Sequence, residues 1–201
     1  MAATHRVPHE SGDASHELSS RTDAELVSHI RSGAMAAFDA LYLRYHARLI
    51  DFAYRYLRSR DAAEDVVQET MLAVWRGRET WDVAHGVPAY LYGAIRNRAL
   101  QFGRHVNVVR RTDALALPGD LPGTQPPPAS DAAVEERDTW DAIRAALGKL
   151  SDDQQRVLLL RYRDGLTSEQ IATVLGISTM AARKQVQRAV AALSGLVKPV
   201  L

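Results

Sequence analysis

Between Thr112 and Ala133 stand five of the chain's eight prolines, three aspartates and no lysine or arginine. Proline lacks an amide donor and fixes φ, so neither a helix core nor a central strand can run through this stretch. It reads as an acidic, flexible, Pro-rich linker. The chain is thereby divided into a disordered N-terminal tail (1–20), a domain at 21–111, the linker at 112–133 and a second domain at 134–201.

On both sides of the linker the apolar residues recur at helical spacing. Phe38, Leu41, Tyr45, Leu49, Phe52 and Tyr56 follow the i, i+3, i+4 rule, and no alternating strand pattern of any length occurs. The expected class is all-α, two small helical domains joined by the linker. The 46% hydrophobic content is enough for two cores. Capping boxes, in which a hydroxyl and an acid or amide three residues on satisfy each other's backbone donors, are expected at Thr22/Glu25, Ser151/Gln154 and Thr167/Gln170. Gly165 and Gly176 suit left-handed helix ends. The chain has no cysteine, so it forms no disulfide and no thiolate metal site. His5, His9 and His16 lie in the polar tail at spacings that fit no compact ligand set, so no metal is expected. There is no signal-peptide pattern and no run of about 20 apolar residues, which points to a cytoplasmic protein.

Net charge is only +1, so nucleic-acid affinity has to be sought locally. "SEQIATVLGISTMAARKQVQRAVAAL", Ser168–Leu193, has two helical patterns around a short turn with glycine, the helix-turn-helix plan. On the second helix Ala182, Val186, Ala189, Val190 and Leu193 share one face. Met180, Arg183, Lys184, Gln187 and Arg188 share the other, and Ser178 and Thr179 open the helix. Arg and Gln can bridge base edges in the major groove, and no carboxylate on this helix repels phosphate.

A second acid-free segment, "IRNRALQFGRHVNVVRR" at Ile95–Arg111, contains five arginines. Leu91, Tyr92, Ile95, Ala99, Phe102 and Val106 form its expected apolar stripe. Arg96, Asn97, Arg98, Gln101, Arg104 and His105 face the other way. Two acid-free basic faces in a near-neutral chain suggest one shared polyanion. The preceding loop carries Trp81, an aromatic that could stack on an unpaired base or anchor the loop. In "DAAEDVVQETMLAVWRG", Val67, Met71 and Val74 form a core stripe, while Asp65, Gln68 and Glu69 surround Leu72 on the opposite side. An exposed leucine among acids suits a basic, partly apolar protein partner and repels DNA.

"DAAEDVVQETMLAVWR", "PAYLYGAIRNRAL" and "LTSEQIATVLGIS", in this order and with a proline-rich gap before the last, resemble bacterial RNA polymerase sigma factors of the extracytoplasmic-function (ECF) class, over about Asp23 to Leu196. The resemblance implies a transcription initiation factor that binds core RNA polymerase and directs it to promoter DNA. It implies a sigma region 2-like domain for the polymerase clamp and the −10 element, and a sigma region 4-like domain for the −35 element. Carried over by position, Asp65, Gln68, Glu69 and Leu72 are the implied clamp contacts. Trp81, Arg96, Asn97, Arg98, Gln101 and Arg104 are the −10 candidates. Ser178, Thr179, Met180, Arg183, Lys184, Gln187 and Arg188 are the −35 candidates. An anti-sigma factor, often membrane-bound in such systems, is a further implied partner. Ala182, Lys184 and Gln185 depart from the residues common in the family. The alternative is a two-domain helix-turn-helix regulator that does not act as a polymerase subunit; it leaves the second basic helix and the acidic patch unexplained. No nucleophile–base pair, phosphate loop or cofactor motif occurs, so neither an enzyme nor a small-molecule substrate is expected.

Overall fold

The computed structural model describes residues 18, 20–110 and 145–197, with residues 103–110 described through their backbone alone. The tail with its three histidines, the linker at 112–133 and the expected restart of helix near Val134 lie outside the described residues. Those described are helical, with no strand among them.

Helix α1 (Asp23–Arg31) starts at the expected capping box. The Glu25 amide donates to Thr22 Oγ1 at 3.4 Å, and the Thr22 amide to Glu25 Oε2 at 2.7 Å. Helix α2 (Met35–Leu57) buries Ala37, Leu41, Tyr45, Leu49, Phe52 and Ala53, a stripe as wide as the i, i+4 spacing predicts. Asp23 ties α1 to α2 by accepting from Arg44 at 2.5 Å and from the Tyr45 hydroxyl. Burial, then the bond to Asp23, pushes the Tyr45 pKa well above the ordinary phenol value. Helix α3 (Arg60–Arg76) is capped by Ser59 and buries Ala63, Val66, Val67, Thr70, Met71 and Val74. The buried Thr70 hydroxyl is satisfied by the Val66 carbonyl at 2.8 Å. After one 3₁₀ turn (Arg78–Thr80) and a loop comes α4 (Val87–Arg110), with Pro88 in its first turn.

Beyond a short helical stretch at 145–148, α5 (Asp152–Leu158) opens at the Ser151/Gln154 box and runs into a π-helical turn (Leu159–Arg163). Helix α6 (Ser168–Leu175) begins at the Thr167/Gln170 box, and α7 (Thr179–Val197) follows after three residues. Gly165 (φ +71°) and Gly176 (φ +64°) adopt the left-handed conformation that a side chain would strain.

The central α2 packs against α1, α3 and α4. A small cluster of Leu150, Leu158 and Ala189 lies between α5 and α7. The larger core runs without interruption from Leu41, Leu49, Phe52, Tyr92 and Ile95 into Leu160, Leu166, Ile171, Val174 and Ala182. The two halves therefore share a core instead of standing apart. The reason is α6: Ile171, Ala172 and Val174 give it more apolar surface than α7 alone covers, and α4 covers the rest.

Candidate nucleic-acid interface

The helix-turn-helix is built as the spacing predicts. The Gln170 amide donates to Thr167 Oγ1 at 3.2 Å, and the Thr167 amide to Gln170 Oε1 at 2.9 Å. Past Gly176 the Ile177 amide returns to the Ala172 carbonyl at 3.1 Å, which closes α6 and aims the chain into α7. Ser178 caps α7 by accepting from the Ala181 amide at 3.2 Å. Ala182 and Ala189 are buried, and Val186, Val190 and Leu193 are half-buried. Met180, Arg183, Lys184, Gln187 and Arg188 are all exposed, and Thr179 is half-buried. Arg183 also donates to Glu169 at 3.0 Å. The Glu169 carboxyl is held below the usual range by its own backbone amide first, then by the Thr167 hydroxyl and Arg183.

Helix α4 presents the second basic face. Leu91, Tyr92, Ile95 and Ala99 are buried, while Asn97 and Gln101 are exposed. Phe102, expected in the apolar stripe, is 40% exposed. Arg104 lies outside the residues whose side chains are described. Arg96 is half-buried: a Cβ on Gly176 would stand 3.7 Å from its Nη1, so it lies against the turn of the helix-turn-helix. Arg98 donates to Glu69 at 3.1 Å.

Trp81 corrects the expectation of a ring offered to DNA. It is 4% exposed, and its ring meets Tyr90 edge-on with centroids 5.5 Å apart. Arg31 donates to the Trp81 carbonyl through Nε at 3.1 Å and Nη2 at 2.5 Å, which fastens the loop to α1 with the indole inside. Among the described residues the buried indole N–H has no hydrogen-bond partner. The exposed ring beside it is that of Tyr90, at 41%. Sequence reasoning missed Tyr90 because helical spacing puts it next to buried Leu91 with no charge to mark its face. Trp81→Ala is expected to cost about 3–5 kcal/mol in urea unfolding as a large core ring is lost. Trp81→Phe should stay near neutral, since loss of an unpaired donor worth about 1–3 kcal/mol offsets the lost volume.

On α3, Asp65, Gln68 and Glu69 are exposed around Leu72, itself 44% exposed, and Val67, Met71 and Val74 are buried behind them. The acidic patch and the basic face of α4 thus adjoin, joined by the Glu69–Arg98 pair. No cluster of three or more metal-ligating side chains occurs among the described residues. Among those residues no helix is long and apolar enough to cross a membrane.

Comparison with known proteins gives this arrangement its family. Sigma-70 region 2 matches residues 41–107, which span α2 to α4. Sigma-70 region 4 matches residues 140–193, which hold the helix-turn-helix. The chain is 34% identical over 170 residues to the ECF RNA polymerase sigma factor SigL of Mycobacterium tuberculosis, covering 81% of this chain and 92% of that protein. It is 28% identical over 180 residues to the RNA polymerase sigma factor CnrH of Cupriavidus metallidurans, covering 87% and 93%. The solved structure of CnrH in complex with the cytosolic domain of CnrY aligns with a TM-score of 0.55 at 25% identity, over 88% of this chain and 97% of that one. The sigma factor RpoE of Bartonella quintana, solved with the anti-sigma factor NepR, shares the fold with a TM-score of 0.59 at 23% identity, over 80% and 96%. With the helix-turn-helix, the basic helix and the acidic patch in the order of sigma regions 2 and 4, this chain belongs to the ECF RNA polymerase sigma factors.

Proposed function

We propose that the chain, as a sigma subunit, divides its work over three surfaces. The domain at 21–111 carries the first two and the domain at 134–201 the third, with 112–133 as tether. Asp65, Gln68, Glu69 and Leu72 on α3 dock on the core polymerase clamp. Arg96, Asn97, Arg98, Gln101 and Arg104 on α4 engage the −10 element, and the exposed Tyr90 and Phe102 rings take the stacking role that buried Trp81 cannot fill. Ser178, Thr179, Met180, Arg183, Lys184, Gln187 and Arg188 form the −35 surface. The observation that carries the reading is the clean separation on α7, where the five side chains of the polar arc are all exposed and the opposite face is packed on its own scaffold.

The relatives solved with CnrY and NepR support an anti-sigma partner for this chain too. The chain has no cysteine, so any thiol-based signal belongs to such a partner. We place the protein in the cytoplasm, where polymerase and promoters are, and assign it no enzymatic activity of its own.

Single alanine variants of the full chain, titrated against promoter and scrambled duplex at several salt concentrations, test the −35 assignment. Arg183→Ala or Gln187→Ala is expected to lose about 1–3 kcal/mol on promoter duplex and relax preference at one position. Lys184→Ala or Arg188→Ala is expected to weaken all duplexes alike and flatten the salt slope by about one unit. Parent-like binding by all four variants would make this helix a solvated surface only.

A further inference from the structure

The two halves meet along a seam in which Arg55 donates to Gln155 at 2.7 Å and Arg58 pairs with Asp152. Within the seam lies a cleft of about 170 Å³. Its apolar lining is Val157, Leu175 and Ile177 with the ring of Tyr56. Its donors come from three helices: Arg96 of α4, Arg156 of α5 and Gln185 of α7. The guanidiniums differ in what holds them. Arg156 lies over the Tyr56 ring at 4.4 Å and pairs with Asp153. The Arg156 side chain is 14% exposed and that of Asp153 84%, so the cation is in the cleft while its counter-charge is largely in water. Arg96 is half-buried and, among the described residues, makes neither a hydrogen bond nor an ion pair. Its Nη1 is 3.7 Å from where a Cβ on Gly176 would stand, so the turn after α6 shields it without supplying an acceptor. A charge drawn out of water without a partner is costly, and an anion relieves that cost. With Asp153 as the one carboxylate among the lining residues, the cleft is net positive in a chain whose total charge is only +1.

We propose that this cleft binds a small phosphate monoester, with the phosphoryl group on Arg96, Arg156 and Gln185 and a short organic body against Val157, Leu175 and Ile177. The planar fork of a guanidinium matches phosphate oxygens. Donors arriving from three helices suit the three acceptor oxygens of a phosphoryl group, where a carboxylate offers two in one plane. Gln185 has no other hydrogen bond among the described residues, so its amide is available. Volume decides the size of the ligand. At about 170 Å³ the cleft is well below the roughly 300–1,000 Å³ of sites for drug-sized molecules, so a dinucleotide does not fit. Because the lining comes from both halves, an occupant bridges α4 to α5 and α7 and stabilises the folded chain by mass action. The site stands independently of the −10 assignment of α4, which shares Arg96 with it.

The test is isothermal titration calorimetry of the full chain with inorganic phosphate, phenyl phosphate and benzoate, at an ionic strength held constant with sodium chloride. Phenyl phosphate is expected to bind at a single site, roughly tenfold more tightly than inorganic phosphate, which lacks the apolar body, or benzoate, which lacks the third oxygen. It should also raise the thermal unfolding midpoint in a concentration-dependent way. Arg96→Gln removes a cation that no described residue pairs, so it should keep the parent circular dichroism while weakening phenyl phosphate by roughly tenfold or more. Asp153→Asn removes the carboxylate and frees Arg156, and should tighten phenyl phosphate severalfold, which a merely disturbed seam would not do. No saturable binding by the parent, or parent-like affinity in both Arg96→Gln and Arg156→Gln, would overturn the site. Equal affinity for inorganic and phenyl phosphate would overturn the ester, and equal affinity for benzoate would overturn the phosphoryl group. Weaker binding by Asp153→Asn would count against the arrangement of charges.

Discussion

The Asp65→Lys, Glu69→Lys double variant is expected to lose about 3 kcal/mol of core-polymerase affinity, on the order of a hundredfold, and with it promoter-dependent run-off transcription. The two carboxylates flank Leu72 on the exposed side of α3, so reversal turns an attraction for a basic partner into repulsion around the one apolar contact. Helicity should be unchanged, because both side chains point away from the core formed by Val67, Met71 and Val74. Glu69 also holds Arg98, at 3.1 Å, so its reversal frees that cation and puts a like charge beside it. The pair is exposed and contributes at most about 1 kcal/mol, so stability changes little while affinity changes much. The measurement is a titration of labelled core enzyme, with Leu72→Ala as a companion that removes the apolar contact and keeps the charges. Parent-like affinity in the double variant would remove Asp65 and Glu69 of α3 from the polymerase interface.

Phe52→Ala is expected to cost about 3–5 kcal/mol of folding stability. The ring is 2% exposed and meets Tyr56 and Tyr92 edge-on, with centroids at 5.3 and 5.0 Å. It stands where the packing of α2 passes into that of α4, beside the seam that Tyr56 and Tyr92 share with the second half. The loss should therefore be felt on both sides. Urea unfolding followed by far-ultraviolet circular dichroism should show one transition in the parent and an earlier midpoint in the variant. Phe52→Leu keeps much of the volume and should lose less, about 1.5 kcal/mol or under. A parent showing two separate transitions, with only the first moved by Phe52→Ala, would mean that the halves fold as independent units.

The features legible in the sequence are those decided within a few residues. A capping box needs only a hydroxyl and an acid or amide three positions apart, and the boxes at Thr22, Ser151 and Thr167 form as read. A left-handed turn needs only glycine, as at Gly165 and Gly176. The two sides of α3 and α7 follow from helical spacing, since 3.6 residues per turn determines which side chains share a face. The rest required long-range contacts. Spacing identifies an apolar face without identifying what covers it. Helical spacing puts Phe102 in the apolar stripe, yet its ring is 40% exposed. The sequence leaves Trp81 as either a stacking ring or an anchor, and the contact from Arg31, fifty residues earlier, goes with the anchor. Helical spacing puts Arg96 on the open basic face of α4, and the turn at Gly176 lies against it. A proline-rich segment such as 112–133 can mark a division of the chain, yet a linker sets only how far apart two halves can be. Whether they meet depends on apolar area left uncovered within each half, and here Ile171 and Val174 on α6 find α4 only once the tertiary structure brings the two helices together.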